Sequence, residues 1–125
     1  MSNVNEAVVN YLAAWNERDP AKRQAAVARA WDEQGSYRDG HREGVGHAAI
    51  AEMIAKVHGA FDPNYRFRLV SKIEAHDGHV RFSWQAGGTP EAPLFFAGTD
   101  FCSVGADGRL NQVIGFTDAA PAPAQ

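Results

Sequence analysis

The 125-residue sequence has a single cysteine, Cys102, so no internal disulfide can form and the fold must rest on its own core. A chain of this length buries roughly two-thirds of the surface it exposes when unfolded, which suffices without bridge or metal. Positive charge is also scarce. Its 12 Lys and Arg against 15 Asp and Glu leave a net charge of −3, which argues against a polyanionic partner such as nucleic acid. The opening Met1-Ser2-Asn3-Val4-Asn5-Glu6 lacks a cationic lead and an apolar stretch. No run approaches the roughly 20 apolar residues that span a bilayer. A cytoplasmic protein without membrane contact is the expectation. Zinc-ligand spacing, a dinucleotide fingerprint, a P-loop and a nucleophile elbow are all missing, so neither metal nor cofactor is expected.

What is present is one domain's worth of patterned apolar residues. Val4, Val8, Tyr11, Leu12 and Trp15 fall on one helical face. Asp19-Pro20 then ends that helix and starts a second, from Pro20 to about Trp31, because Asp caps free N–H groups and Pro suits the first helical position. Gln34-Gly35 breaks it. A short extended piece, Ser36 to Asp39, precedes a glycine-rich loop with Gly40, Gly44 and Gly46, and a third helix carries Ile50, Met53, Ile54, Val57 and Phe61. Beyond Asp62-Pro63 the period becomes two, predicting strands over Tyr65 to Ala75, His79 to Ala86, Leu94 to Val104 and Leu110 to Thr117. Asp77-Gly78 and Asp107-Gly108 mark hairpins between them. Helices first and long strands afterwards predict an α+β domain over residues 1–118, its helices on one face of a curved antiparallel sheet, with a loose Ala/Pro tail at 119–125.

Three polar residues break the pattern. Asp100 shares its parity with Leu94, Phe96, Gly98, Cys102 and Val104, so a carboxylate interrupts an apolar strand face. Burial there would raise its pKa and leave it a neutral donor. The alternatives are a structural Asp paired with Arg81, or a parity slip at Gly98. The opposite parity, with Phe95, Ala97 and Phe101, is also apolar, which predicts a homodimer through the outer sheet face. Asp39, before Gly40, suits a general base at a cavity mouth, or a simple Asx turn. Tyr11 lies on the inner stripe of the first helix, as core or as a hydroxyl donor. His41 and His47 border the glycine loop as rim or solubilising residues, His58 suits the negative end of its helix, and His76 and His79 flank a turn and point to solvent.

The segments Tyr11-Leu12-Ala13-Ala14-Trp15-Asn16-Glu17-Arg18-Asp19, Tyr37-Arg38-Asp39-Gly40 and Gly98-Thr99-Asp100-Phe101 resemble the nuclear transport factor 2-like superfamily, specifically its SnoaL-like and ketosteroid isomerase-like members. The likeness runs from about Val4 to Asp118 in the same element order. It implies a cone-shaped, barrel-like sheet with three helices on its concave face. It also implies Tyr11 and Asp100 as oxyanion donors and Asp39 as the base in proton transfer beside a carbonyl. Trp15, Phe82, Trp84 and Phe96 are the expected apolar lining, for a small carbonyl-containing ligand. A SnoaL-type aldol cyclase would use the same groups, and a noncatalytic binding module would use Tyr11 and Asp100 as a structural pair. The chain has Gly40 where the isomerase pattern places a proline. It lacks the Arg-x-Asp strand pair of limonene epoxide hydrolases, since Ser83 follows Arg81 at that spacing.

Overall fold

The computed structural model describes residues 4–60, 66–86 and 96–119. Phe61, Tyr65, Leu94, Phe95 and residues 120–125 of the expected tail lie outside the described residues. Helix α1, Val4–Asn16, buries Ala7, Val8, Tyr11, Ala14 and Trp15, the inner face of a 3.6-residue repeat. Helix α2, Pro20–Ala30, has Asp19 as its cap, accepting from the Lys22 N–H at 2.9 Å, with Pro at the first turn. Helix α3, His47–Ala60, buries Ile50, Met53, Ile54 and Val57.

Seven strands follow or interleave: β1 Trp31–Arg38, β2 Glu43–Val45, β3 Phe67–Leu69, β4 Glu74–His76, β5 His79–Ala86, β6 Phe96–Val104 and β7 Leu110–Ala119. They form one sheet in the order β2-β1-β7-β6-β5-β3, with β4 also pairing with β5. Helix residues such as Val8, Val27 and Ile54 share one core with Trp31, Phe82, Cys102 and Val113 from the inner face of the sheet.

Several expectations need correction. The sheet is mixed, because β7 slots between β6 and β1 and runs parallel to β1. A period of two shows that a segment is a strand but not which way its neighbour runs. Nor does the sheet close into a barrel; β2 and β3 end it. Trp31 opens β1 instead of closing α2, and Gln34-Gly35 falls in a bulge where the register jumps from Trp31↔Leu110 to Ser36↔Gln112. That bulge is packed: a Cβ on Gly35 would stand 2.7 Å from Trp31 Cδ1, and the Trp31 indole N–H donates to Ser36 O across it. Part of the glycine loop is strand β2, in which Gly44 is buried against Ala49.

The run expected from Tyr65 to Ala75 is two strands. Four residues, Val70 to Ile73, stand against only Phe82 and Ser83 of β5, and the Ser71 hydroxyl accepts the Ser83 N–H in place of a ladder bond. Both hairpin turns form: Asp77 and Gly78 have φ of 52° and 77°, and Gly108 has φ of 85°. The parity slip considered at Gly98 is absorbed by β7. There, Ala97↔Ala119 is followed by Gly98↔Thr117, leaving Asp118 extra, while β6 keeps Gly98, Asp100 and Cys102 buried.

Candidate active site

The unbroken alternation of β6 turns Asp100 inward, where it is 1% exposed. Helix α1 crosses above it, and the Tyr11 hydroxyl donates to Asp100 Oδ2 at 2.6 Å. The alternative partner, Arg81, has the opposite parity and pairs with Glu74 instead. Burial pushes the Asp100 carboxyl up to about 6; Asp39 adds to the rise, whereas the Tyr11 hydrogen bond and the nearby Trp84 indole oppose it. Trp84 nevertheless makes no hydrogen bond of normal geometry, and Asp100 Oδ1 is likewise buried without a partner. Burial, and next the Asp100 charge, raise both the Tyr11 and Tyr37 phenols, which therefore remain donors.

Tyr37 and Asp39 stand two apart at the end of β1 and so point the same way. The Tyr37 hydroxyl donates to Asp39 Oδ2 at 2.6 Å. Asp39 Oδ1 accepts the backbone N–H groups of His41 and Arg42 at 2.7 and 2.9 Å. Arg42 Nη1 lies 3.6 Å from Oδ2. One Asp39 carboxylate thus closes the loop and also lines the cavity.

One point ties the groups together. A Cβ on Gly115 would stand 2.8 Å from Asp100 Oδ1, 3.2 Å from the Tyr37 hydroxyl oxygen and 3.5 Å from Asp39 Cβ. The Asp100 carboxylate, the Tyr37 hydroxyl and the Asp39 side chain thus converge on Gly115 so tightly that a Cβ there would collide with the carboxylate oxygen of Asp100, and Tyr11 joins the group through Asp100. The cavity has a volume of about 50 Å³. Its described wall includes Trp15, Trp84 and Phe96, together with Tyr11, Asp39 and Asp100.

Phe82 does not line it. That residue is 1% exposed, opposite Asp100 in the β5–β6 ladder, and packs edge-on against Tyr11 with ring centres 5.5 Å apart, below the cavity floor. His41 lines the mouth, whereas His47 is held at the start of α3 by contact with Trp31 O at 2.8 Å. His58 does more than sit at a helix end: it is buried, with Nε2 on Trp15 O at 2.6 Å and Nδ1 on Arg23 at 2.9 Å, and burial lowers its pKa. His76 and His79 are exposed.

Sequence reasoning missed Tyr37, Phe67 and Arg42 in the wall. Tyr37 carried a usable signal, as an aromatic two residues before Asp39 on the same strand. Phe67 enters because Asn16 clamps β3 to the end of α1, accepting the Phe67 N–H and donating to its carbonyl, both at 2.7 Å. No residue spacing announces that contact.

The SnoaL-like domain family model matches residues 8–113. A SnoaL-like family protein from Agrobacterium tumefaciens str. C58, provisionally described as an isomerase, is 38% identical over 91% of this chain and 96% of its own, with a TM-score of 0.84. A SnoaL-like protein from Jannaschia sp. CCS1, provisionally described as a polyketide cyclase, superposes with a TM-score of 0.72 at 13% identity, covering 92% and 85% of the two chains. A protein with a ketosteroid isomerase-like fold from Catenulispora acidiphila DSM 44928 gives 0.68 at 18% identity, covering 88% and 83%. No match was found among curated proteins.

Proposed function

The chain belongs to the SnoaL-like domain family, and from that membership we propose that it is an acid/base enzyme moving a proton next to a carbonyl in a small molecule. The observation that carries this reading is Asp100 Oδ1, a buried carboxylate oxygen with no partner, facing a cavity walled by aromatic rings. A base whose pKa lies near neutrality can both take a proton from carbon and return it. Asp100, raised to about 6, meets that condition. Tyr11 donates to its other oxygen, and the Tyr37 hydroxyl, which donates to Asp39, lies close by at Gly115.

Asp39 is the less free of the two acids, since each of its oxygens already accepts a hydrogen bond. A second allocation keeps the same residues with Asp39 as base and Tyr11 with protonated Asp100 as donors; the burial that retains a proton on Asp100 favours it. An aldol cyclase would begin with the same proton abstraction, but the small cavity favours a compact ketone over a polyketide. The outer face, where Phe101 and Phe116 are 44% and 56% exposed, supports association of two copies of the chain.

Deuterium uptake from D2O at the carbon beside the carbonyl, measured over a panel of small ketones, tests the reaction. Asp100→Asn is expected to slow uptake by about 100-fold or more while Asp39→Asn retains more of it. The reverse ranking supports the second allocation. Ligand binding without any uptake makes the cavity a noncatalytic binding site.

A further inference from the structure

His58 and Arg23 are buried, and the reaction proposed above uses neither. They meet where α1 and α3 end and α2 begins. Arg23 donates through Nε to Glu17 O and through Nη2 to Arg18 O, both at 3.0 Å, so its guanidinium closes the connection between α1 and α2. Nη2 also faces His58 Nδ1 at 2.9 Å, and His58 Nε2 lies 2.6 Å from Trp15 O. That carbonyl is among the last of α1, which have no partner within the helix. Arg18 Nη1 donates in turn to His58 O at 3.4 Å. One imidazole thus joins the ends of all three helices.

Chemistry fixes the protonation of this ring. An arginine only donates and a carbonyl only accepts, so His58 must accept at Nδ1 and donate at Nε2. Only the neutral Nε2–H form does both. A second proton would sit on Nδ1, against an Arg23 N–H group that has no lone pair to offer and stays charged. We infer that His58 is a positioning residue for the cavity wall, holding Trp15 in place while the ring is neutral and releasing it once the ring is protonated. Trp15 carries the effect into the cavity: its indole packs against the rings of Tyr37 and Phe67, with centres 5.3 Å away in each case, and Tyr11, one turn earlier on α1, donates to Asp100. Burial is the largest influence against the second proton; the Trp15 carbonyl favours it, Arg18 and Arg23 oppose it, and Glu17 favours it, which leaves the pKa below the ordinary 6.5. The inference concerns the shape of the wall and holds whether the cavity performs proton transfer or only binds.

The test follows the ring nitrogens of His58 and the indole N–H of Trp15 by NMR in the ¹⁵N-labelled full chain. Near neutral pH, His58 is expected as the neutral Nε2–H form, and on acidification the Trp15 resonance should shift with the same midpoint as His58, below pH 6.5. Asp100→Asn, which removes the carboxyl raised into this range, should keep that shift. His58→Gln, whose amide donates to Trp15 O and accepts from Arg23 without titrating, should abolish it and leave the Trp15 resonance at its neutral-pH position. His58→Phe pairs neither group and should speed exchange of the Glu17 amide, which donates to Ala14 O at the end of α1, by about tenfold or more at fixed pH. An Nδ1–H tautomer, a Trp15 shift out of step with His58, or a shift that persists in His58→Gln overturns the inference. Unchanged Glu17 exchange in folded His58→Phe overturns it too; should that variant not fold, the titrations of wild type and His58→Gln decide. Absence of deuterium uptake with every ketone removes the proton-transfer reading and leaves this one standing.

Discussion

Asp100 and Gly115 face each other across β6 and β7, and the missing side chain at 115 is what lets the Asp100 carboxylate lie where it does. Gly115 is not among the glycines of positive φ, so alanine fits its backbone and the obstacle is the 2.8 Å approach to the carboxylate oxygen. Gly115→Ala is expected to fold, with a loss of about 1–3 kcal/mol from overpacking, and to slow proton transfer by about tenfold or more as the methyl group pushes the Asp100 carboxylate out of place. Thermal unfolding and deuterium uptake on the same sample check this; a folded variant with wild-type uptake would contradict it.

The pH profile tells which acid is the base. With Asp100 as base, kcat/KM should rise with pH through about 6 and then level off. With Asp100 as a protonated donor, the rate should instead fall as pH rises past the same point. Tyr11→Phe sharpens the comparison, because the Tyr11 hydrogen bond lowers the Asp100 pKa and its removal should move the inflection upward. An inflection that stays put in Tyr11→Phe would separate the profile from Asp100.

Stability should respond to the same carboxyl. Its folded pKa, about 6, lies above the ordinary 3.8, so the folded state binds more protons than the unfolded state between those values. The contribution of Asp100 is therefore fully present below pH 3.8 and is lost as pH rises through about 6. Above that point, keeping the charge buried costs up to about 3 kcal/mol. Asp100→Asn should consequently be more stable than wild type at pH 8, with the difference shrinking towards pH 4. Denaturant unfolding at both pH values measures it, and a variant less stable at pH 8 would show that burial does not penalise this charge.

How much of this site the sequence revealed depended on whether the signal was local. Asp100 stood out because alternation over nine residues of β6 fixes its side, and Tyr11 because the α1 stripe is unambiguous. Their contact, 89 residues apart, came only by family resemblance, since spacing carries no information on how helix and sheet dock. Phe82 was misplaced because parity selects a face but not a depth: the inner face of β5 holds Phe82 under Tyr11 and Trp84 in the wall. The parallel β1–β7 pairing and the broken β3–β4 edge were invisible for a related reason. Strand neighbours and extra residues in a ladder are settled by the partner strand, not by the pattern within one.

The outer face offers a test that does not involve the cavity. Phe101 and Phe116 sit on adjacent strands with ring centres 5.6 Å apart at 86°, a pair of aromatic rings left largely in water. Beside them Ser83, Thr99 and Asp118 form a chain of hydrogen bonds at 2.9 and 2.6 Å, which gives the face a polar margin next to an apolar centre. If two copies meet there, Phe101→Glu with Phe116→Glu would place like charges at the centre of the contact and should convert a dimer into monomers without unfolding either, because neither ring belongs to the core. Sedimentation equilibrium of wild type and double variant measures this, and a dimer that persists in the double variant would assign the contact to another surface.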